Sequence, residues 1–229
     1  MLICKWDELP EDMQTDAVRP YYNALRRKNL SLLCKRIFDI TVSAIMLILL
    51  SPLFVLLAVL IKADSRGSVF FRQARITQYG KVFRIFKFRT MVSDAEHIGA
   101  QVTSQNDVRI TRVGKAIRKL RIDEIPQLLN IFVGDMSFVG TRPEVPKYVE
   151  RYSDEMRATL LLPAGVTSEA SIEFKDEDEM MKDAENIDDT YVNEVLPRKM
   201  EYNLNALKHY GFFGDIRTMF RTVAAVLKR

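Results

Sequence analysis

Cysteine and histidine are scarce in this 229-residue chain, two of each, and the shortage removes whole classes of chemistry. Cys4 and Cys34 have no metal-site spacing and cannot build a disulfide framework; they fit a reducing compartment. His97 and His209 lie far apart in sequence, which argues against a His-rich zinc site. Internal repeats and low-complexity tracts are missing as well. With 48% hydrophobic and 28% charged residues, the chain is neither disordered nor polytopic in a membrane. Its length suffices for one domain with a real core and small appendages.

Net charge is also small, +4, but it is unevenly spread. Residues 62–121 hold fourteen Lys or Arg against four Asp or Glu, a local surplus of +10. Residues 169–194 hold eleven acids against two bases, a local −9. The acidic run 173–189 reads as a solvated helical face. The basic middle calls for an anionic partner: phosphate, nucleic acid or lipid headgroup. Nothing resembles a recognised nucleic-acid module, and a nucleic-acid binder leaves the neighbouring apolar segment unexplained.

That segment runs from Ile40 to Ile61, twenty-two residues without a charge. It meets the length of about 20 residues that a membrane span needs, and begins too late to be a simple cleaved signal peptide. Ser51-Pro52 interrupts it near the middle, where proline removes a donor and predicts a kink. Lys35 and Arg36 precede it, Lys62 and Arg66 follow, and positive charge favours the cytoplasmic side at both ends. A helix that dips in, breaks at Ser51-Pro52 and returns keeps both flanks inside. This re-entrant hairpin is favoured over a straight span, and a buried core helix comes last because the segment lacks a polar face. Asp39, the lone acid at the entrance, is expected to pair with Lys35 or Arg36 across one turn.

The fold class that follows is α/β mixed and mostly helical: the re-entrant hairpin, a small β-hairpin or sheet, and amphipathic interfacial helices. Residues 1–34 form an N-terminal lead-in, peripheral with short helices over 1–30; 35–62 form the membrane hairpin, 63–162 the core and 163–229 a C-terminal extension. Gly67 and Gly80 punctuate SVFFRQARI and KVFRIFKFRTM, which predict a β-hairpin with aromatic residues and cations interleaved. Ser93, with Glu96 three residues on, is a plausible cap for a helix over 94–100. Helix is expected around Glu124 to Phe132, ended by Gly134, and helical spacing recurs from Lys147 to Leu162 before a break at Pro163. Asp215 to Arg229 is amphipathic, with Ile216, Met219, Phe220, Val223, Ala224 and Leu227 on one face; it either packs on the core or lies on an anionic membrane surface.

The adjacent acids Asp123-Glu124 follow Arg118, Lys119 and Arg121. Alone, an acidic pair opening a helix is ordinary, since acids favour the first turn. Their company is not ordinary: Lys87, Arg89, Arg109, Arg112, Arg118 and Arg142 surround them in sequence, all downstream of the apolar segment.

KRIFDI with the following apolar segment, GSVFFRQARITQYGKVFRIFKFRTM, and DVRITRVGKAIRKLRIDEIPQLLNIFVGDMSFVGTRPE occur here in a specific order and spacing over residues 35 to about 144. Together they resemble the bacterial sugar transferase family, the monotopic phosphoglycosyl transferases that start glycan assembly on polyprenyl phosphate. The resemblance implies a re-entrant helix at the bacterial inner membrane with its catalytic face cytoplasmic. It implies a Mg²⁺-dependent two-step displacement from a nucleotide diphosphate sugar, with uridine expected, onto polyprenyl phosphate, feeding exopolysaccharide, capsule, O-antigen or glycoprotein synthesis. Asp123 matches the nucleophile and candidate Mg²⁺ ligand, and Glu124 its dyad partner. Arg118 and Arg142 match phosphate-binding positions, with Lys87 and Arg89 next in line and Arg109 and Arg112 as further cations. Two departures stand out: Thr141-Arg142-Pro143 where the family often has Pro-Arg-Pro, and AGVTSEASIEF after Pro163 where many members turn on Pro-Gly-Ile-Thr-Gly. The competing reading is a non-catalytic membrane adaptor that binds anionic lipid or partner proteins through its basic face. Oligomeric state is left open, with a homo-oligomer compatible.

Overall fold

A computed structural model describes residues 3–92, 108–174 and 186–227, so the helix expected over 94–100 and most of the acidic run lie outside the described residues. Helix α1 (Arg19–Arg26) leads into α2 (Asn29–Leu49), and α3 (Ser51–Asp64) follows after Leu50 alone. The two helices meet at a 60° bend. Its cause is Pro52, which has no N–H to give the carbonyl of Ile48; Ser51 Oγ donates to that carbonyl instead, at 2.8 Å. Among the described residues no single helix is long and apolar enough to cross a membrane, although the bent pair passes that test together. Its outer surface is bare: Ile37, Ile45, Val55 and Val59 are exposed, and Ile48 and Leu49 at the bend are 72% and 71% accessible. The reading as a buried core helix therefore falls. Contiguous apolar surface of this kind marks contact with lipid or with another protein.

Beyond α3 the hairpin forms as expected. Strand β1 (Phe70–Ile76) pairs antiparallel with β2 (Val82–Phe88), Phe70 opposite Phe88 and Ile76 opposite Val82. The turn needs left-handed backbone at Tyr79 (φ 57°) and Gly80 (φ 72°), and glycine supplies the second without strain. Phe83 and Ile85 alternate inward onto Leu128, Ile131 and Met136. Phe88 packs instead with Leu57, Ile61 and Ile117. Helix α4 (Arg112–Lys119) starts where Thr111 Oγ1 accepts from Gly114 N at 3.0 Å, and Asp64 Oδ2 accepts from Val113 N at 2.8 Å. The end of α3 thus caps the start of α4.

Helix α5 (Gln127–Val133) ends at Gly134 (φ 102°), as its sequence predicts. There Arg36 of α2 donates to the carbonyls of Ile131 (2.7 Å) and Phe132 (2.8 Å), a cation on a helix C-terminus. Both arms of the bent pair are therefore tied to one body. Asp39 makes no bond to either neighbouring cation: its Oδ1 accepts from Phe138 N at 3.3 Å, and Lys35 reaches Asp215 at 2.5 Å and the Val139 carbonyl at 2.7 Å. The expected one-turn pair gives way because these partners come from elements that pack directly on α2.

Strand β3 (Met136–Val139) and the short α6 (Pro146–Val149) follow, then β4 (Ala164–Thr167), which pairs parallel with β3, Met136 beside Ala164 and Val139 beside Thr167. This second sheet was not expected from the sequence. It depends on Gly165, where a Cβ would lie 2.1 Å from Gly140 N. The helical spacing of 147–162 yields only α6 and a 3-10 turn at Met156–Leu161. Every residue from Ala158 to Leu162 is buried, so no wet face is left for an amphipathic helix. The chain closes with α7 (Glu169–Glu173), α8 (Ile187–Thr190), α9 (Leu196–Lys208) and α10 (Phe212–Leu227).

The N-terminal lead-in is not peripheral. Leu9, Met13, Val18, Tyr21, Tyr22 and Leu25 are buried in the same cluster as Leu161, Leu196 and Met200. The predicted C-terminal helix is present as α10, seated on the body through two threonines while Arg217 and Arg221 stay exposed. Thr218 Oγ1 donates to Glu169 at 2.8 Å and Thr222 meets Thr167 at 2.7 Å, whereas Phe213, Phe220 and Val223 face outward.

Candidate active site

The chain leaves α4 through Arg121, a non-glycine residue in left-handed backbone (φ 53°), and enters a 3-10 turn at Ile122–Glu124. Asp123 and Glu124 thus sit ahead of α5 rather than opening it. Ile122 is held among Val113, Ile117 and Phe88, and Ile125 among Leu128, Ile131 and Met136. With both isoleucines drawn into separate apolar clusters, the turn between them is fixed and its two carboxylates are left to the polar side.

Glu124 Oε1 accepts from Lys87 Nζ at 2.8 Å and from Arg142 Nη2 at 3.0 Å. The two cations arrive from different elements. Lys87 lies on β2, on the face shared by Phe83 and Ile85, and that strand is pinned by Asn130 of α5. The buried amide accepts from Phe86 N at 2.9 Å and donates to Arg84 O at 3.1 Å, mimicking a neighbouring strand. Arg142 stands in the loop after β3. Burial would raise the Glu124 carboxyl, but Arg142 and Lys87 outweigh it and hold Glu124 far below the ordinary carboxylate range. Asp123 behaves oppositely. Burial and then the charge of Glu124 raise its pKa, against the weaker pull of Lys87 and Arg118. Among the described residues no cation lies within ion-pair distance of the Asp123 carboxylate. Neighbouring carboxylates pushed apart in this way are suited to different tasks.

Arg118 of α4 acts on Asp123 through its charge, and its Nη1 is buried with no hydrogen-bond partner. A buried, unsatisfied guanidinium donor beside a carboxylate calls for an anion that completes it. The six sequence-nominated cations thereby divide into two groups of three. Lys87, Arg118 and Arg142 converge on the acidic pair. Arg89 is buried and donates to the carbonyls of Ser65 (2.7 Å) and Arg66 (2.8 Å), closing the end of α3. Arg112 is exposed in the first turn of α4, and Arg109 is half-buried in the preceding turn, its carbonyl accepting from Val92 N at 3.0 Å.

Two contributors escaped the sequence. Asn130 has a legible signal, an amide inside the apolar stretch LLNIF. Arg75 has none: it lies in a strand rich in cations, yet it is the one that donates to the Pro143 carbonyl at 3.0 Å and steadies the Arg142 loop.

The family model described as bacterial sugar transferase matches residues 30–229. Similar proteins include a UDP-N-acetylgalactosamine-undecaprenyl-phosphate N-acetylgalactosaminephosphotransferase of Aeromonas hydrophila, 37% identical over 84% of this chain and 43% of its own. The undecaprenyl-phosphate glucose phosphotransferase of Komagataeibacter xylinus is 35% identical over 87% of this chain and 37% of its own. The chain therefore spans less than half the length of these two relatives. The exopolysaccharide production protein ExoY of Rhizobium meliloti is 32% identical over 95% of this chain and 91% of its own.

Proposed function

The chain belongs to the bacterial sugar transferase family, and from that premise we propose that it transfers a phosphosugar from a nucleotide diphosphate sugar, a UDP-sugar, to polyprenyl phosphate. The observation that carries this reading is the division of the acidic pair. Glu124 is held ionised by Lys87 and Arg142, while Asp123 keeps a carboxylate with no cation against it among the described residues. An unpaired carboxylate beside convergent cations is arranged to attack a phosphorus whose oxygens those cations hold.

In the first step an Asp123 oxygen attacks the sugar-linked phosphorus. The bond from that phosphorus to the bridging oxygen breaks, and the nucleoside monophosphate leaves with the electron pair. In the second step an oxygen of polyprenyl phosphate attacks the same phosphorus. The acyl phosphate bond breaks, returning the Asp123 carboxylate and giving a polyprenyl diphosphate sugar. Arg118, with its unsatisfied Nη1, and Arg142 hold the diphosphate oxygens. Glu124 restrains Lys87 and Arg142 so that neither collapses onto Asp123. Among the described residues no three His, Cys, Asp or Glu are grouped to hold a metal. One carboxylate with substrate phosphates and water is nevertheless the donor set that Mg²⁺ favours, and Asp123 supplies that carboxylate. When bound, Mg²⁺ would neutralise charge on the diphosphate.

The bent pair is the membrane anchor in this proposal, and it re-enters rather than spans. Both arms are tied to one body, Arg36 to the end of α5 and Asp64 to the start of α4, and that body cannot lie on two sides of a bilayer. Each apolar arm is about 16 Å long, short of the roughly 30 Å hydrocarbon core. The outward Phe213, Phe220 and Val223 of α10 would rest at the interface. The site then faces the cytoplasm at the bacterial inner membrane, where a soluble donor and a lipid acceptor meet, and the product initiates glycan assembly, exopolysaccharide above all. The test is to offer the detergent-extracted full chain a panel of nucleotide diphosphate sugars with polyprenyl phosphate and Mg²⁺. Monophosphate release with one of them is expected; silence across the panel would contradict the proposal.

A further inference from the structure

The loop that carries Arg142 has a second, buried end. Gly140 N donates to Thr167 O at 2.9 Å and Gly165 N to Thr141 O at 2.8 Å, which fixes the entry from β3. Two residues past Arg142 the chain turns inward at Glu144, which is 7% exposed. Its carbonyl accepts from Ile76 N at 3.0 Å. Its carboxylate accepts a short hydrogen bond from the Tyr191 hydroxyl, and Lys199 Nζ lies 3.7 Å from Glu144 and 3.1 Å from the Tyr191 hydroxyl. Lys199, 5% exposed, is on α9, and Tyr191 is on the π-helical turn Tyr191–Val195 that precedes it. The Tyr191 ring packs on Tyr148 at 4.7 Å, and Tyr148 in turn donates to Asp188 at 2.6 Å.

A buried carboxylate is costly unless its partners are in place, so Glu144 can sit where it does only while Tyr191 and Lys199 hold it. Only Pro143 separates Glu144 from Arg142. Proline has a fixed φ and restricts the residue before it to extended backbone, so the three residues form a stiff lever. Arg75 connects the two ends from the other side: it donates to Pro143 O, and its guanidinium feels the charges of Glu144, Arg142 and Glu124. A line of charges therefore runs from Lys87 and Glu124 through Arg142 and Arg75 to Glu144 and Lys199, with the two like-charged guanidiniums held between the two acids.

We propose that Glu144 is a positioning residue for Arg142: anchored by Tyr191 and Lys199, it sets where the Arg142 guanidinium meets the donor's phosphate, and so places that cation under the control of the C-terminal segment. This rests on the phosphoglycosyl transferase reading and deepens it. The segment behind the site thereby acts on catalysis without touching substrate. Changes around Tyr191 and Lys199 would retune the donor step while Asp123 and Glu124 stay as they are.

The experiment is a double-mutant cycle on the full chain, with Glu144→Gln, Arg142→Ala and the two combined. It reads kcat/KM for the nucleotide sugar that the wild-type chain turns over, alongside the melting temperature. Acting through Arg142, Glu144→Gln should cost about tenfold in the wild-type background and less than about twofold once Arg142 is gone. A merely structural role gives the same loss in both backgrounds and overturns the proposal. If Glu144→Gln does not fold, Tyr191→Phe, which removes one hydroxyl, is read in the same cycle with the same two outcomes. Wild-type turnover in Arg142→Ala would instead remove Arg142 from the donor site and take this proposal with it, while leaving Asp123 chemistry standing. No turnover by the wild-type chain with any donor would contradict the function itself, a separate and recognisable failure.

Discussion

Lys87 and Arg142 meet on one oxygen of Glu124, and this crowding is what separates the two acids. Glu124 stays charged at any ordinary pH, and its charge is one reason that Asp123 titrates above the usual aspartate range. In the proposed mechanism the ionised Asp123 is the nucleophile, so activity should fall as pH drops through that raised pKa. Glu124→Gln removes the neighbouring charge and should move the acid limb of the kcat/KM profile to lower pH, even as it slows the reaction. A limb that stays in place would detach it from Asp123. The acidic pair itself was legible in the sequence because it travels with IPQLLN and TRPE. The inequality within it was not, because it depends on a strand and a loop, 37 residues before and 18 residues after Glu124, closing on the same oxygen.

Among elements, the hairpin β1–β2, the break at Ser51-Pro52 and the end of α5 at Gly134 could all be read from local chemistry: period-two alternation, a missing N–H and a left-handed stop. The parallel pair β3–β4 could not. Its strands are four residues each and lie far apart in sequence, and the backbones of Gly140 and Gly165 approach so closely that neither leaves room for a Cβ. Gly165→Ala should therefore be among the most damaging single methyl additions in the molecule. The added carbon meets backbone that cannot swing aside, and loss of soluble folded protein or a large drop in melting temperature is expected. Asn130→Ala tests the link between α5 and β2. It strands Phe86 N and Arg84 O, and should cost about 2–4 kcal/mol in denaturant unfolding. Because Lys87 follows on the same strand, donor turnover should weaken along with stability.

At the scale of the whole molecule, the charged flanks of the apolar segment already argued that both ends share one side. The proposed re-entrant topology draws further support from Arg36 and Asp64, which bind the two arms to neighbouring parts of one core. Cysteines introduced at Lys28 and Arg66, in a chain with Cys4 and Cys34 replaced by serine, should both react with an impermeant thiol reagent from the cytoplasmic side. Labelling of the two from opposite sides would establish a span. The lead-in, taken from sequence as peripheral, is the clearest misreading at this scale. Its Tyr21, Tyr22 and Leu25 are scattered among polar residues and gain their meaning only from the helices at the other end of the chain.

The central claim is that the phosphosugar passes through Asp123. The most direct measurement is intact-protein and peptide mass spectrometry of the full chain incubated with its nucleotide sugar and Mg²⁺ in the absence of polyprenyl phosphate. The account predicts release of nucleoside monophosphate matched by one phosphosugar adduct on the peptide that contains Asp123, lost again when the lipid acceptor is added and never formed in Asp123→Asn. Monophosphate release that requires the acceptor from the start, with no adduct and with turnover retained in Asp123→Asn, would contradict it.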